Sequence, residues 1–286
     1  LPNIIESNHP KAQGKFVLLL LDLLRFETKY IKSKDMPEVI SVIYKGTLRI
    51  FLLLLHDYPE ILVQHHYQLC CEIPQSFVQL RNIVLSAFPK SISMPDPFTQ
   101  GLKVDRLPEI TEAPVISYNP SNDLRSLKKP VDGYLRIPSN MLLKTIINGI
   151  KQTPVEEAGI GYSKSNFNVK AINAIVLYVG IQAVNDRQPN GQTFNPKSSH
   201  FALLSGLMQE GTVEFQYHLI EAICNQLRYP NSHTQWFSYI ILHFFGAQSL
   251  WNGKKSQVQQ IITRVLLERV ICNRPCLLYT SPSPRD

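Results

Sequence analysis

The sequence predicts an all-α fold in which antiparallel helix pairs stack side by side, a HEAT-like α-solenoid. Three observations carry that prediction. Apolar residues recur at helical spacing in segment after segment. Short corners marked by proline join those segments. Between them no run alternates apolar and polar residues as the strands of an α/β chain do. No exact repeat period is found, but divergent HEAT-type repeats keep only their apolar spacing.

Taken in order, residues 1–89 form a first helical group. Phe16 to Tyr30 is apolar apart from Asp22 and Arg25, which lie three apart and can pair on an exposed face. Pro37 marks a boundary, and Val39 to His56 follows as a second helix with Gly46 tolerated inside it. From Leu48 to Pro89 three apolar segments succeed one another, broken only at Asp57-Tyr58-Pro59 and Ile73-Pro74. Each proline suits the first turn of the next helix, where its missing N–H has no partner to lose. In the third segment Phe77, Leu80, Val84 and Phe88 share a stripe, with Gln79, Asn82 and Ser86 opposite.

Residues 90–165 change character. Pro95, Pro97, Pro108, Pro114, Pro120, Pro130 and Pro138 punctuate them, which prevents long helices and favours an extended path with short helices. Met94, Phe98, Leu102, Val104, Leu107 and Ile110 nevertheless keep the stretch apolar, so it is expected to cross and pack on the helices. A long irregular segment of this kind is often a binding element. The second helical group spans 166–275. Val169 to Val184 is apolar on nearly every side, which suits a central buried helix, and its length exceeds that of an ordinary strand. Asn185 to His200 reads as a polar surface loop. Helices follow at Phe201 to Met208, Val213 to Arg228, Thr234 to Ala247 and Gln257 to Cys272. Between the middle pair, Pro230 stops one helix and Asn231 or Ser232 caps the next.

Composition narrows the function. A chain of 286 residues, 44% hydrophobic with a mean hydropathy of −0.07, can bury a large core. Its longest apolar runs, Phe16 to Leu21 and Ile50 to Leu55, fall well short of the roughly 20 residues a membrane-crossing helix needs, so no membrane association is expected. No basic region precedes an apolar one near Leu1, so no signal peptide is read, and the chain is expected to be a fragment of a longer one. Cys70, Cys71, Cys224, Cys272 and Cys276 are odd in number and are expected to be thiols of a reducing compartment. The formal charge of +7 invites a helical-repeat RNA-binding domain as the alternative function. The charges are dispersed, however, and the adjacent basic pairs Lys128-Lys129 and Lys254-Lys255 are expected in solvated loops.

Candidate chemistry is thin. His66 and Cys70 stand four apart beside His65 and Cys71, a zinc-like spacing with no third or fourth ligand indicated from another element. His56 at a helix C-terminus is explained by the helix dipole. Ser205 lacks the Gly-x-Ser-x-Gly elbow, and Gly159-Ile160-Gly161 follows no strand. No catalytic residue, metal or cofactor is therefore assigned. Two clusters remain for recognition: Met94, Pro95, Asp96 and Phe98 in the crossing segment, and Tyr229, Pro230, Asn231, His233, Trp236 and Phe237 at a helix corner. A few aromatic anchors of this kind carry most of the affinity when a helical array binds an extended peptide, although aromatic side chains also serve the core.

Four stretches are specific enough to carry a resemblance: QLRNIVLSAFPKSISMPDPFTQGLKVD (79–105), NAIVLYVG (173–180), NQLRYPNSHTQWF (225–237) and ITRVLLERVICNRP (262–275), with YKGTLRIFLLLLHDYPE (44–60) similar as well. Residues 1–275 resemble the C-terminal domain of the large scaffold subunit of the CCR-NOT messenger-RNA deadenylase complex. Residues 115–134 and 185–200 match poorly. The resemblance implies a HEAT-like platform without catalytic activity. It would hold the second and third NOT subunits and short peptides of RNA-binding repressors, and would touch RNA only indirectly. It implies work in poly(A) tail shortening, mRNA decay, translational repression and transcription regulation, in the cytoplasm, including P-bodies, and in the nucleus. Residues 276–286 depart from the family pattern and resemble a translated sequencing adapter, so the biological chain is expected to continue differently beyond Pro275.

Overall fold

Local sequence sets the helices before packing assembles them. The computed structural model describes residues 11–30, 37–73, 77–89, 92, 96, 98–103, 106–151, 166–186, 194–246 and 255–271. Among these every extended element is a helix, and Lys151 and Phe167 form an isolated antiparallel bridge.

Helices α1 (Ala12–Tyr30), α2 (Glu38–Asp57), α3 (Pro59–Glu72) and α4 (Val78–Ser86) make the first group. Pro59 sits in the first turn of α3, and α2 closes as the Tyr58 N–H donates to the Leu54 carbonyl at 2.9 Å. The predicted Asp22–Arg25 pair forms at 2.9 Å on the exposed side of α1. Helix α4 is shorter than its stripe. Phe77 precedes it, and Ala87 is already extended, since the chain must leave the helix before Pro89. Leu24, Phe51, Leu54, Leu62, Leu69, Leu80 and Val84 are fully buried together, and each such side chain contributes about 1.5–3 kcal/mol on leaving water.

The crossing segment carries short helices. It contains a 3-10 turn at Pro108–Thr111, α5 (Ser121–Leu124), a second 3-10 turn at Arg125–Leu127, α6 (Lys128–Arg136) and α7 (Asn140–Ile150). Pro130 does not prevent α6 because it lies in the first turn, where no backbone bond is lost. The Ser139 side chain caps α7 by accepting from the Met141 N–H. Part of the segment packs across the helices: Ile110 is buried, whereas Phe98 and Leu102, also expected to pack, are exposed. The Ser117 N–H donates to the Gln64 carbonyl at 3.1 Å, and Tyr118 stacks on Tyr67 at 5.1 Å.

The second group comprises α8 (Val169–Asn185), α9 (Ser199–Glu210), α10 (Val213–Cys224), α11 (Ser232–Gly246) and α12 (Lys255–Val265), the last running into a π-helical turn at Leu266–Ile271. Helix α8 is the central one that its composition predicts: it touches α5, α9, α10 and α11 and buries most of its length. Gly180 is required there, because a Cβ would lie 2.6 Å from the Phe237 ring. Helix α10 ends at Cys224 rather than Arg228, and the four residues by which it falls short join the corner that follows. Residues 187–193 of the predicted polar loop lie outside the described residues, while Phe194 at its end packs on Phe201 and Tyr239.

Candidate partner-binding surface

The corner 225–237 is a joint between the two hydrophobic cores. Arg228 is buried, and its Nη2 donates to the Val84 carbonyl at 3.0 Å and the Ala87 carbonyl at 3.2 Å, both at the C-terminal end of α4. Its guanidinium lies 4.7 Å over the Tyr229 ring, and the Tyr229 hydroxyl donates to the same Ala87 carbonyl. Phe88 meets Tyr229 edge to face at 5.3 Å. A helix end leaves its last carbonyls short of partners; here the Val84 carbonyl also accepts from the Ala87 N–H at 3.4 Å. Tyr229 thereby belongs to the first core, whereas Trp236 and Phe237 belong to the second.

The corner residues singled out for recognition are therefore used internally. Tyr229, Asn231, His233, Trp236 and Phe237 are all buried and Pro230 is half-buried. Asn231 acts as the expected cap, accepting from the Thr234 N–H at 2.9 Å, and the Ser232 N–H donates to the Glu112 carbonyl at 2.8 Å. Burial pushes the His233 imidazole down to about 4. As placed, these side chains lock a corner, and Pro230 keeps part of its surface open. In sequence an aromatic corner looks the same whether a partner or the chain's own helix covers it.

The second cluster is different. Met94 and Pro95 lie outside the described residues, but Phe98 is 85% exposed and its N–H is held by the Asp96 carboxylate at 2.9 Å. Ile137 and Met141, at the corner between α6 and α7, are 74% and 77% exposed. Sequence periodicity missed them because each is a single residue at a corner.

A second tie between the groups is electrostatic. Glu72 on α3 accepts from Arg25 of α1 at 3.1 Å and from Lys170 of α8 at 2.8 Å. Burial alone would raise this carboxyl, but hydrogen bonds from Lys170 and Arg25 outweigh it and hold the group below its ordinary value. Lys128 is not in a solvated loop as expected. It opens α6, where its ammonium donates to Asp132 at 2.6 Å and to the Tyr178 hydroxyl at 3.3 Å. Lys255 likewise opens α12, while Lys254 lies outside the described residues.

The residues weighed for chemistry have local partners. His66 Nδ1 donates to the Val63 carbonyl at 2.7 Å, and His65 Nδ1 faces the Gln68 amide oxygen at 3.0 Å. Burial pushes the Cys71 thiol up to about 12. Ser205 is buried in α9 and donates to the Phe201 carbonyl at 2.9 Å. Gly159 and Gly161, Cys272, Cys276 and the tail lie outside the described residues. By length and composition alone α2, with a window of mean hydropathy 1.6, is long and apolar enough to cross a membrane, although Lys45 and Arg49 interrupt its apolar runs.

Stacked helix pairs, two cores joined through a buried corner and single apolar anchors at other corners define an α-solenoid, a class that works by presenting helical surfaces. The sequence matches the family described as CCR4-Not complex component, Not1, over residues 1–277. The chain belongs to this family. It is 43% identical over 278 residues to the general negative regulator of transcription subunit 1 of Saccharomyces cerevisiae, covering 96% of this chain and 13% of that protein. It is 36% identical over 275 residues to the CCR4-NOT transcription complex subunit let-711 of Caenorhabditis elegans, covering 93% and 10%. Among solved structures it resembles a Not1 C-terminal domain in complex with Not4, with a TM-score of 0.81, 41% identity, and coverage of 96% of this chain and 54% of that one. The NOT1 superfamily homology domain of Chaetomium thermophilum gives a TM-score of 0.80 at 29% identity, covering 94% and 53%. The chain thus spans about an eighth of the Saccharomyces relative.

Proposed function

We propose that this segment is a non-catalytic scaffold within a CCR4-Not deadenylase complex, holding the second and third NOT subunits and short peptides of RNA-binding repressors. On this reading it supports poly(A) shortening, mRNA decay and translational repression in the cytoplasm, including P-bodies, and in the nucleus. The observation that carries the proposal is membership of the Not1 family across nearly the whole chain, together with a Not1 C-terminal domain whose solved complex contains Not4. A Not4 segment is accordingly a further candidate occupant of this surface. Physically the work is burial: an extended partner covers apolar anchors such as Phe98, Ile137 and Met141, and contacts spread over several corners add avidity.

Co-purification of the tagged chain with the second and third NOT subunits and with Not4, each expressed separately, tests the proposal. Retention of the NOT subunits is the expected result, and failure to retain either one refutes it. The RNA-binding alternative predicts instead that the chain alone binds single-stranded RNA with an affinity falling steeply with salt.

A further inference from the structure

We infer that the corner between α6 and α7 docks an acidic peptide segment of a partner protein, whose apolar side chains cover Ile137 and Met141 while its carboxylates meet the cations around them. The inference rests on the scaffold reading and adds the chemistry of one occupant. Ile137 closes α6 and Met141 lies in the first turn of α7, 74% and 77% exposed. Leu143, Ile146 and Ile150 turn the opposite side of α7 into the second core. Met141, Lys144, Thr145 and Asn148, spaced three and four apart, therefore form its outer stripe, and all four are exposed. Lys151, just past the helix end, continues the stripe, and its ammonium donates to the Asn148 side-chain oxygen at 3.3 Å.

The charge around this stripe has one sign. From Arg125 to Lys151 the sequence holds six basic residues and one acidic residue. That residue, Asp132, is already engaged by the Lys128 ammonium at 2.6 Å and the Tyr178 hydroxyl at 2.6 Å. Arg136, Lys144 and Lys151 are exposed and form no ion pair among the described residues. Helix α9, on which α6 and α7 pack, adds one exposed carboxylate, Glu210, too little to balance three cations. Complementary charge steers a partner and fixes its register, while buried apolar anchors supply most of the affinity. The flexible Met141 side chain suits an irregular apolar contact. A single-stranded nucleic acid, the other common polyanion, stacks its bases on aromatic rings. Residues 135–151 contain no aromatic side chain and Tyr134 is buried, so the aliphatic pair selects a peptide.

Selection of short random peptides displayed on phage, run in parallel on the purified protein and on its Lys144→Glu/Lys151→Glu and Met141→Ser variants, tests the site. Both variants change exposed side chains and should keep the parent's circular dichroism and melting temperature. Peptides enriched on the parent and depleted on both variants should be net acidic and carry two or more large apolar residues. A synthetic copy of one should bind the parent about tenfold more tightly than either variant, with an affinity that falls as salt rises. The inference is overturned if the peptides that depend on these residues are neutral or basic, or if no peptide depends on them. Oligouridylate RNA that binds the parent and is lost on the charge reversal, with no acidic peptide enriched, marks a nucleic-acid surface and overturns it too. Retention of the NOT subunits, measured on the same parent protein, separates the two readings: retention without acidic-peptide selection sinks this inference alone, whereas loss of both sinks the scaffold reading beneath it.

Discussion

Replacing Arg228 with Met tests whether the corner at 225–231 holds the two cores together. The change keeps most of the side chain's volume and removes its charge and both hydrogen bonds to the end of α4. A hydrogen bond from a charged donor contributes about 1.5–3 kcal/mol, and stacking over Tyr229 about 0.5–2 kcal/mol. Against this, Nε and Nη1 of the buried guanidinium have no hydrogen-bond partner among the described residues, so its desolvation is incompletely compensated and Met recovers part of the loss. The net expected destabilisation is about 1–3 kcal/mol, since each carbonyl keeps one other donor, the Ala87 N–H at 3.4 Å for Val84 and the Tyr229 hydroxyl for Ala87. Urea unfolding followed by far-UV circular dichroism and by tryptophan fluorescence measures it. Trp236 reports on the second core and the dichroism on both, so a weakened joint should also separate the two transitions. A loss under about 0.5 kcal/mol with coincident transitions would refute the assignment of Arg228 as the tie.

Three further outcomes are expected. Gly180→Ala drives a Cβ to 2.6 Å from the fully buried Phe237 ring and should cost about 1–3 kcal/mol, partly recovered by the compensating Phe237→Leu change, as equilibrium unfolding would measure. His233 is held neutral in the fold at about 4 against an ordinary 6.5, so the unfolded chain binds the extra proton. Its contribution to stability is complete above pH 6.5 and falls away toward pH 4, by on the order of 3 kcal/mol, and His233→Gln should flatten that part of the stability–pH curve. Phe98→Ala should leave the melting temperature unchanged while weakening capture of NOT subunits by about 1–2 kcal/mol, roughly five- to thirtyfold in Kd; unchanged affinity removes Phe98 from the surface.

How far the candidate site could be read in advance differs between its two clusters. Asp96 and Phe98 are exposed, although the apolar recurrence through 91–110 predicts packing for Phe98. The corner cluster is largely buried. Its residue types fit a peptide groove and a packed joint equally well, and the groups that decided between them, the Val84 and Ala87 carbonyls, lie more than 140 residues away in sequence. Pro130 shows a limit at short range: proline density predicted only short helices without placing them, and position within the first turn is what lets α6 begin two residues ahead of Pro130.

Helical spacing, caps and proline corners are local properties, so the chain by itself determined that it is helical, where most helices start and which one is central: Pro59, Asn168, Ser198 and Thr212 act within a turn of themselves. Which apolar faces are covered was decided only by tertiary structure, because burial depends on what arrives from elsewhere in the chain. Arg228 reaching back to α4, Glu72 gathering Arg25 and Lys170, and Ile137 and Met141 left open are outcomes of packing that no window of sequence contains.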